Sequence, residues 1–98
     1  MESGAVNSTT TLAEIRAQID TLDRQIVSLI AERQKRVIAA GSLKSDEQAV
    51  RAPQRVEQVI TKVRALADEA GASPDVVEKT YRALIASFIA LELEHHRG

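Results

Sequence analysis

The chain has no cysteine and no tryptophan, one tyrosine, one phenylalanine and only two prolines. The lack of cysteine excludes disulfides, thiolate catalysis and cysteine-ligated metal sites, and is neutral about compartment. The scarcity of aromatics leaves leucine, isoleucine, valine and alanine to fill a core. No stretch shows the period-two alternation of a half-buried strand, so the chain reads as all-α. No apolar run approaches the roughly 20 residues that cross a bilayer, and no signal peptide is visible. Neither sign of charge dominates. Thirteen basic and 14 acidic side chains are interspersed for a net charge of −1, which argues against nucleic acid and against a membrane surface. By default these absences describe a soluble cytoplasmic protein. Ninety-eight residues make one domain, near the lower end of what supports its own core.

What is present is a long periodic stretch, Thr11 to Lys44, without proline and with Gly41 as its one glycine. Leu12, Ile15, Ile19, Leu22, Ile26 and Leu29 recur three and four apart and line one helix face. The same count then meets Arg33, Val37, Ala40 and Lys44, so a stripe built to fill a core carries two cations. A cation on such a seam needs an anionic partner or a solvated cavity. Either residue alone reads as a stem laid on apolar surface with its head in water. The two together, on nearly one face, point to a shared anionic partner. A helix of this length runs on the order of 50 Å at ~1.5 Å per residue, longer than a compact chain of this size is wide. Two short helices cannot cover it well, so the expectation is a dimer in which two long helices pack together.

The rest of the chain supplies boundaries and candidate partners. Residues 1–10 are small and polar and read as a disordered tail, with the helical domain over 11–98. Thr11 and Glu14 form a capping box that starts the first helix. The stretch Ser45 to Ala52 loses periodicity and reads as a loop. Pro53 suits the first turn of a second helix running to about Ala70, with Val56, Val59, Ile60, Val63 and Leu66 inward and Gly71 closing it. Ser73-Pro74-Asp75 opens a third helix, with Val77, Tyr81, Leu84, Ile85 and Phe88 on its inner side. Its apolar count lands on Glu92, a carboxyl on an inward face that either pairs with a cation, Lys44 being one candidate, or stays protonated. His95, His96 and Arg97 are cations in the last turn, where the helix dipole favours them. Adjacent histidines point apart on a helix, which disfavours a metal site there. Arg16 lies beside the first seam, and Arg55 at the start of the second helix reads by itself as a solvated surface residue.

In order, these features resemble the all-α chorismate mutase family and its relative, isochorismate-pyruvate lyase. The resemblance covers roughly Leu12 to Glu94. It rests on Ile15-Arg16, Leu22-Asp23, Ala31-Glu32-Arg33 and Gly41-Ser42-Leu43-Lys44, the second Arg seventeen residues after the first and the Lys eleven further. Ala52-Pro53-Gln54-Arg55-Val56 resembles the lyase branch especially. The resemblance implies an intertwined homodimer of three-helix chains, one helix long and two shorter. Its substrate is a small dicarboxylate enol-pyruvyl ether. Arg16 is implied to reach in from the other protomer, while Arg33, Lys44, Arg55 and Glu92 come from one chain. The mutase reaction is a Claisen rearrangement with neither cofactor nor metal. Arginine forks suit the carboxylates, Lys44 is implied as the main donor to the ether oxygen, and Glu92 as the second.

Two positions depart from the common bacterial pattern. Glu92 stands where Gln is typical, and a Glu donates only when protonated. Val56 stands where a Glu contacts the ring hydroxyl, and this Val is shared with the lyase branch and with mutases acting on 4-amino-4-deoxychorismate. The expected activities therefore rank as chorismate mutase, isochorismate-pyruvate lyase and aminodeoxychorismate mutase. A non-catalytic helical dimer, its seam cations merely paired with acids, is the alternative from a different class.

Overall fold

A computed structural model describes residues 10–97. They form four helices, α1 (Leu12–Gly41), α2 (Glu47–Arg51), α3 (Pro53–Ala70) and α4 (Pro74–Arg97), with no strand among the described residues. The all-α expectation holds, with one short helix more than the three anticipated. The polar tail falls almost wholly outside the described residues.

The expected capping signals act where the sequence put them. Thr11 N–H donates to Glu14 Oε1 at 2.7 Å and Glu14 N–H to Thr11 Oγ1 at 3.1 Å, which satisfies two orphan donors reciprocally. Ser73 Oγ accepts from Val76 N–H at 3.3 Å at the head of α4. Gly71, at φ 78°, ends α3 in the left-handed region that glycine enters without strain.

The stretch Ser45 to Ala52, anticipated as a loop, instead contains α2. Asp46 Oδ1 accepts from Ala49 N–H at 2.9 Å and so caps the turn. Val50 is 2% exposed, which anchors a helix too short to persist by itself. Ala52 serves both as the end of α2 and the start of α3, at φ 37° and ψ 62°. Pro53 disfavours the right-handed helical region for the residue before it, and the left-handed geometry turns the chain within one residue.

The chain divides into two compact units, residues up to Arg33 and residues from Gln34 onward. In the first, α1 leaves its apolar stripe open, with Leu12, Ile19, Leu22, Ile26 and Leu29 between 48% and 68% exposed. The second unit has a core of Val59, Ile60, Val63 and Ile85, onto which Val56, Val77, Tyr81 and Ile89 pack. Phe88, Leu93 and Ala67 are also buried, and Leu66, expected inward, is half exposed. Ala67, one position on, takes the inward place on α3.

Outside that core, α3 and α4 are tied by an ion-pair cluster. Arg82 grips Glu57 through Nη1 and Nη2 at 2.9 and 3.0 Å, and its Nε meets Glu78 Oε2 at 2.7 Å. Arg64 Nη1 lies 2.8 Å from Glu78 Oε1 and 3.0 Å from Asp75 Oδ1. Hydrogen bonds from Arg82 hold both the Glu57 and the Glu78 carboxyl below the usual range, with Arg64 adding to the effect on Glu78. A carboxyl with a depressed folded-state pKa contributes stability above its unfolded value and loses it as the pH falls through the folded one. The contribution is therefore complete above about pH 5 and fades below about pH 4. Arg82→Gln should flatten the acid limb of stability against pH, read from urea midpoints, while leaving helicity at neutral pH intact. An unchanged acid limb would show that the cluster does not hold in solution.

Candidate functional site

Where α1 ends, the backbone tightens before the chain leaves it. Ser42 N–H donates to the Ile38 carbonyl, Leu43 N–H to Ala40 and Lys44 N–H to Gly41, each at 3.1 Å. The last two bonds span three residues and wind the end into a tight turn. The helix thus stops at Gly41 rather than Lys44, and Lys44 sits just beyond the turn with its side chain reaching Glu92 on α4.

Lys44 Nζ lies 3.1 Å from Glu92 Oε2, a salt bridge in which the lysine side chain is 28% exposed and the glutamate 5%. Glu92 is the one charged residue buried among the core of the described chain, and a buried carboxylate needs such a partner. Pairing with Lys44, one of the alternatives the sequence left open for Glu92, is what the structure shows. A cavity of about 370 Å³ opens beside the pair, lined by Ile38, Gly41, Ser42, Lys44, Glu92, His95 and His96. Its volume falls in the range of small-molecule sites. One cation, one buried carboxyl and two imidazoles face it, a set suited to hydrogen bonding with an oxygen-rich anion.

Gly41 makes this close approach possible. A methyl group there would meet Glu92 Oε2 at 2.7 Å and Glu92 Cδ and Cγ at 3.4 Å. The Glu92 carboxyl therefore lies against the bare backbone of α1. Gly41→Ala should favour the helix locally yet displace the carboxyl, with a roughly 10²-fold loss in any reaction that depends on its placement, as angstrom-scale misplacement causes. Circular dichroism checks that helicity is kept, and turnover at saturating substrate reads the loss. Wild-type turnover in Gly41→Ala would mean that the Glu92 position is not critical.

The remaining sequence candidates are placed as follows. Arg16 is exposed and Arg33 half-buried, both on α1 within the first unit. Arg55 is exposed in the first turn of α3 and is not among the residues lining the cavity. Two contributors were not legible beforehand. Gly41 stood only as the one glycine of the long stretch and the first residue of the Gly41-Ser42-Leu43-Lys44 motif, and His96 as a terminal cation poorly placed to hold a metal. His96 Nε2 lies 3.0 Å from the carbonyl oxygen of Lys44. No group of three or more His, Asp or Glu among the described residues is placed to hold a metal ion. None of the described helices is long and apolar enough to cross a membrane.

Residues 15–93, from the first seam of α1 through the Lys44–Glu92 pair, match the pattern of chorismate mutase type II. The chain belongs to the chorismate mutase type II family. It is 34% identical over 88 residues to an isochorismate pyruvate lyase of Pseudomonas aeruginosa, covering 90% of this chain and 87% of that protein. It is also 32% identical over 82 residues to the T-protein of Haemophilus influenzae, covering 83% of this chain but 22% of that larger protein. Family membership places the chain among enzymes.

Proposed function

We propose that the protein is a pericyclic enzyme of the chorismate mutase kind, rearranging chorismate to prephenate. The observation that carries the reading is the buried Glu92 carboxyl paired with Lys44 at the edge of a ligand-sized cavity. In the Claisen rearrangement the ether C–O bond breaks as a C–C bond forms, and the electrons move around a ring of six atoms. No group on the protein need form a covalent bond. Negative charge grows on the ether oxygen, so an ammonium held in a half-buried site stabilises the transition state more than the ground state. Lys44 supplies that donor. Glu92 orients that donor through the ion pair, and Arg16, Arg33 and Arg55 take the carboxylates through paired, charge-assisted bonds and hold the reactive conformer.

The open stripe on α1 supports a homodimer in which the long helices cover one another, with Arg16 contributed across the interface. Five large apolar side chains on one face are more than a stable monomer commonly leaves in water.

A second reading is isochorismate-pyruvate lyase, favoured by the similarity that runs along most of the Pseudomonas aeruginosa protein and by Val56 in place of an acid. The same carboxylate grips and the same donor to the breaking ether bond serve that reaction. Supplying purified protein with chorismate and isochorismate separately decides between them. Prephenate from the first supports the mutase, salicylate plus pyruvate from the second supports the lyase, and turnover of neither removes both.

A further inference from the structure

Glu92 and His96 stand four residues apart on α4, so they share a face one turn apart. Both reach the same residue. Glu92 takes the Lys44 ammonium at 3.1 Å, and His96 Nε2 meets the Lys44 main-chain oxygen at 3.0 Å. A carbonyl only accepts, so Nε2 carries the proton and donates. α4 thus grips Lys44 at its tip and at its root. The turn between them is otherwise held by its own helix-end bonds, and Leu43 beside Lys44 is 87% exposed. Without His96, a long flexible side chain would hang from a lightly fixed backbone.

We infer that His96 is a positioning residue for Lys44, its Nε2–H bond to the Lys44 carbonyl fixing where the ammonium is anchored. The inference rests on the proposed reaction and adds a residue to it. When substrate enters, the Lys44 ammonium turns toward the ether oxygen and its bond to Glu92 loosens. The main-chain bond to His96 takes no part in that exchange and keeps the root in place. His96 lines the cavity, but in this scheme its one polar role is exercised through Lys44 and on none of the reacting atoms.

The test uses the full chain with His96→Ala, His96→Phe and His96→Gln. Phenylalanine keeps a ring without a donor, while glutamine offers an amide N–H near the same reach. Two readouts are taken: kcat and KM on whichever of chorismate and isochorismate the wild type turns over, and amide exchange of Leu43 and Lys44. The expected result is a roughly tenfold fall in kcat for the Ala and Phe variants, with KM within about twofold, as a loss of alignment rather than of binding produces. Exchange at Leu43 and Lys44 should quicken in the same two variants, and the Gln variant should recover both quantities. The inference is overturned if Phe behaves as wild type, which assigns the ring to packing, or if Gln is as impaired as Ala. It is also overturned if exchange is the same in all four proteins. Should the wild type turn over neither substrate, the reaction proposed above fails, and the exchange comparison still decides whether His96 holds the turn.

Discussion

If Lys44 is the donor in the proposed reaction, Lys44→Ala should lower kcat about 10²- to 10³-fold, the loss that follows removal of a donor aimed at developing negative charge. The same substitution should also destabilise the protein. Glu92 is 5% exposed and loses its cation, and an uncompensated buried polar group costs about 1–3 kcal/mol. The two effects separate in the double variant Lys44→Ala/Glu92→Gln. A neutral amide does not need the ammonium, so stability should largely return while kcat stays low. Urea unfolding gives the first quantity and steady-state kinetics the second. Recovery of turnover in the double variant would show that Lys44 acts by neutralising Glu92 and not as the donor. A single variant as active as wild type would remove Lys44 from the chemistry.

On the proposed dimer of long helices, Ile26→Asp should abolish assembly. Ile26 is 52% exposed in the single chain, where a surface substitution changes stability by only about 0.5 kcal/mol. In a two-fold interface the same change buries two carboxylates in apolar surroundings, because each protomer contributes one. Dimer affinity should fall at least about 10²-fold, and activity with it, since Arg16 then has no second site to enter. Sedimentation across protein concentration reads the assembly. A complementation experiment reads the sharing. Mixing Arg16→Ala with Lys44→Ala chains should regenerate one intact site in each mixed dimer, giving about a quarter of wild-type activity if pairing is random. Mixtures no more active than their components would place Arg16 outside a shared site, and an Ile26→Asp protein that sediments and turns over as wild type would leave the stripe without a partner of its own kind.

Legibility in the sequence followed the range over which a signal acts. The capping box at Thr11 and Glu14, the Pro53 start, the Gly71 stop and the Ser73 cap are encoded within four residues each, and all stand where the pattern placed them. α2 escaped because five residues are too few to show a period of 3.6, and its one local signal is the Asp46 cap. Leu66 and Ala67 were exchanged because an inward stripe fixes a face only to within about one position, and a large apolar residue is the more tempting of two neighbours. In the site, Lys44 and Glu92 were legible because each interrupts an apolar stripe, a contradiction that invites an explanation. Gly41 and His96 were not. One matters through a side chain it lacks, the other through a bond to a main-chain oxygen, and no residue letter records either.

The single residue between α2 and α3 also limits how the chain can vary in length. α2 and α3 both pack against α4, so neither rotates freely about its axis. Between them stands only Ala52, already in a left-handed conformation and followed by the ring of Pro53. One inserted residue would shift the phase of α3 by about 100° and turn its buried row, Val59, Ile60 and Val63, away from α4, carrying Arg55 round with it. The corner works as an angular index mark: related chains can lengthen at the tips of other turns, but this joint should keep its residue count.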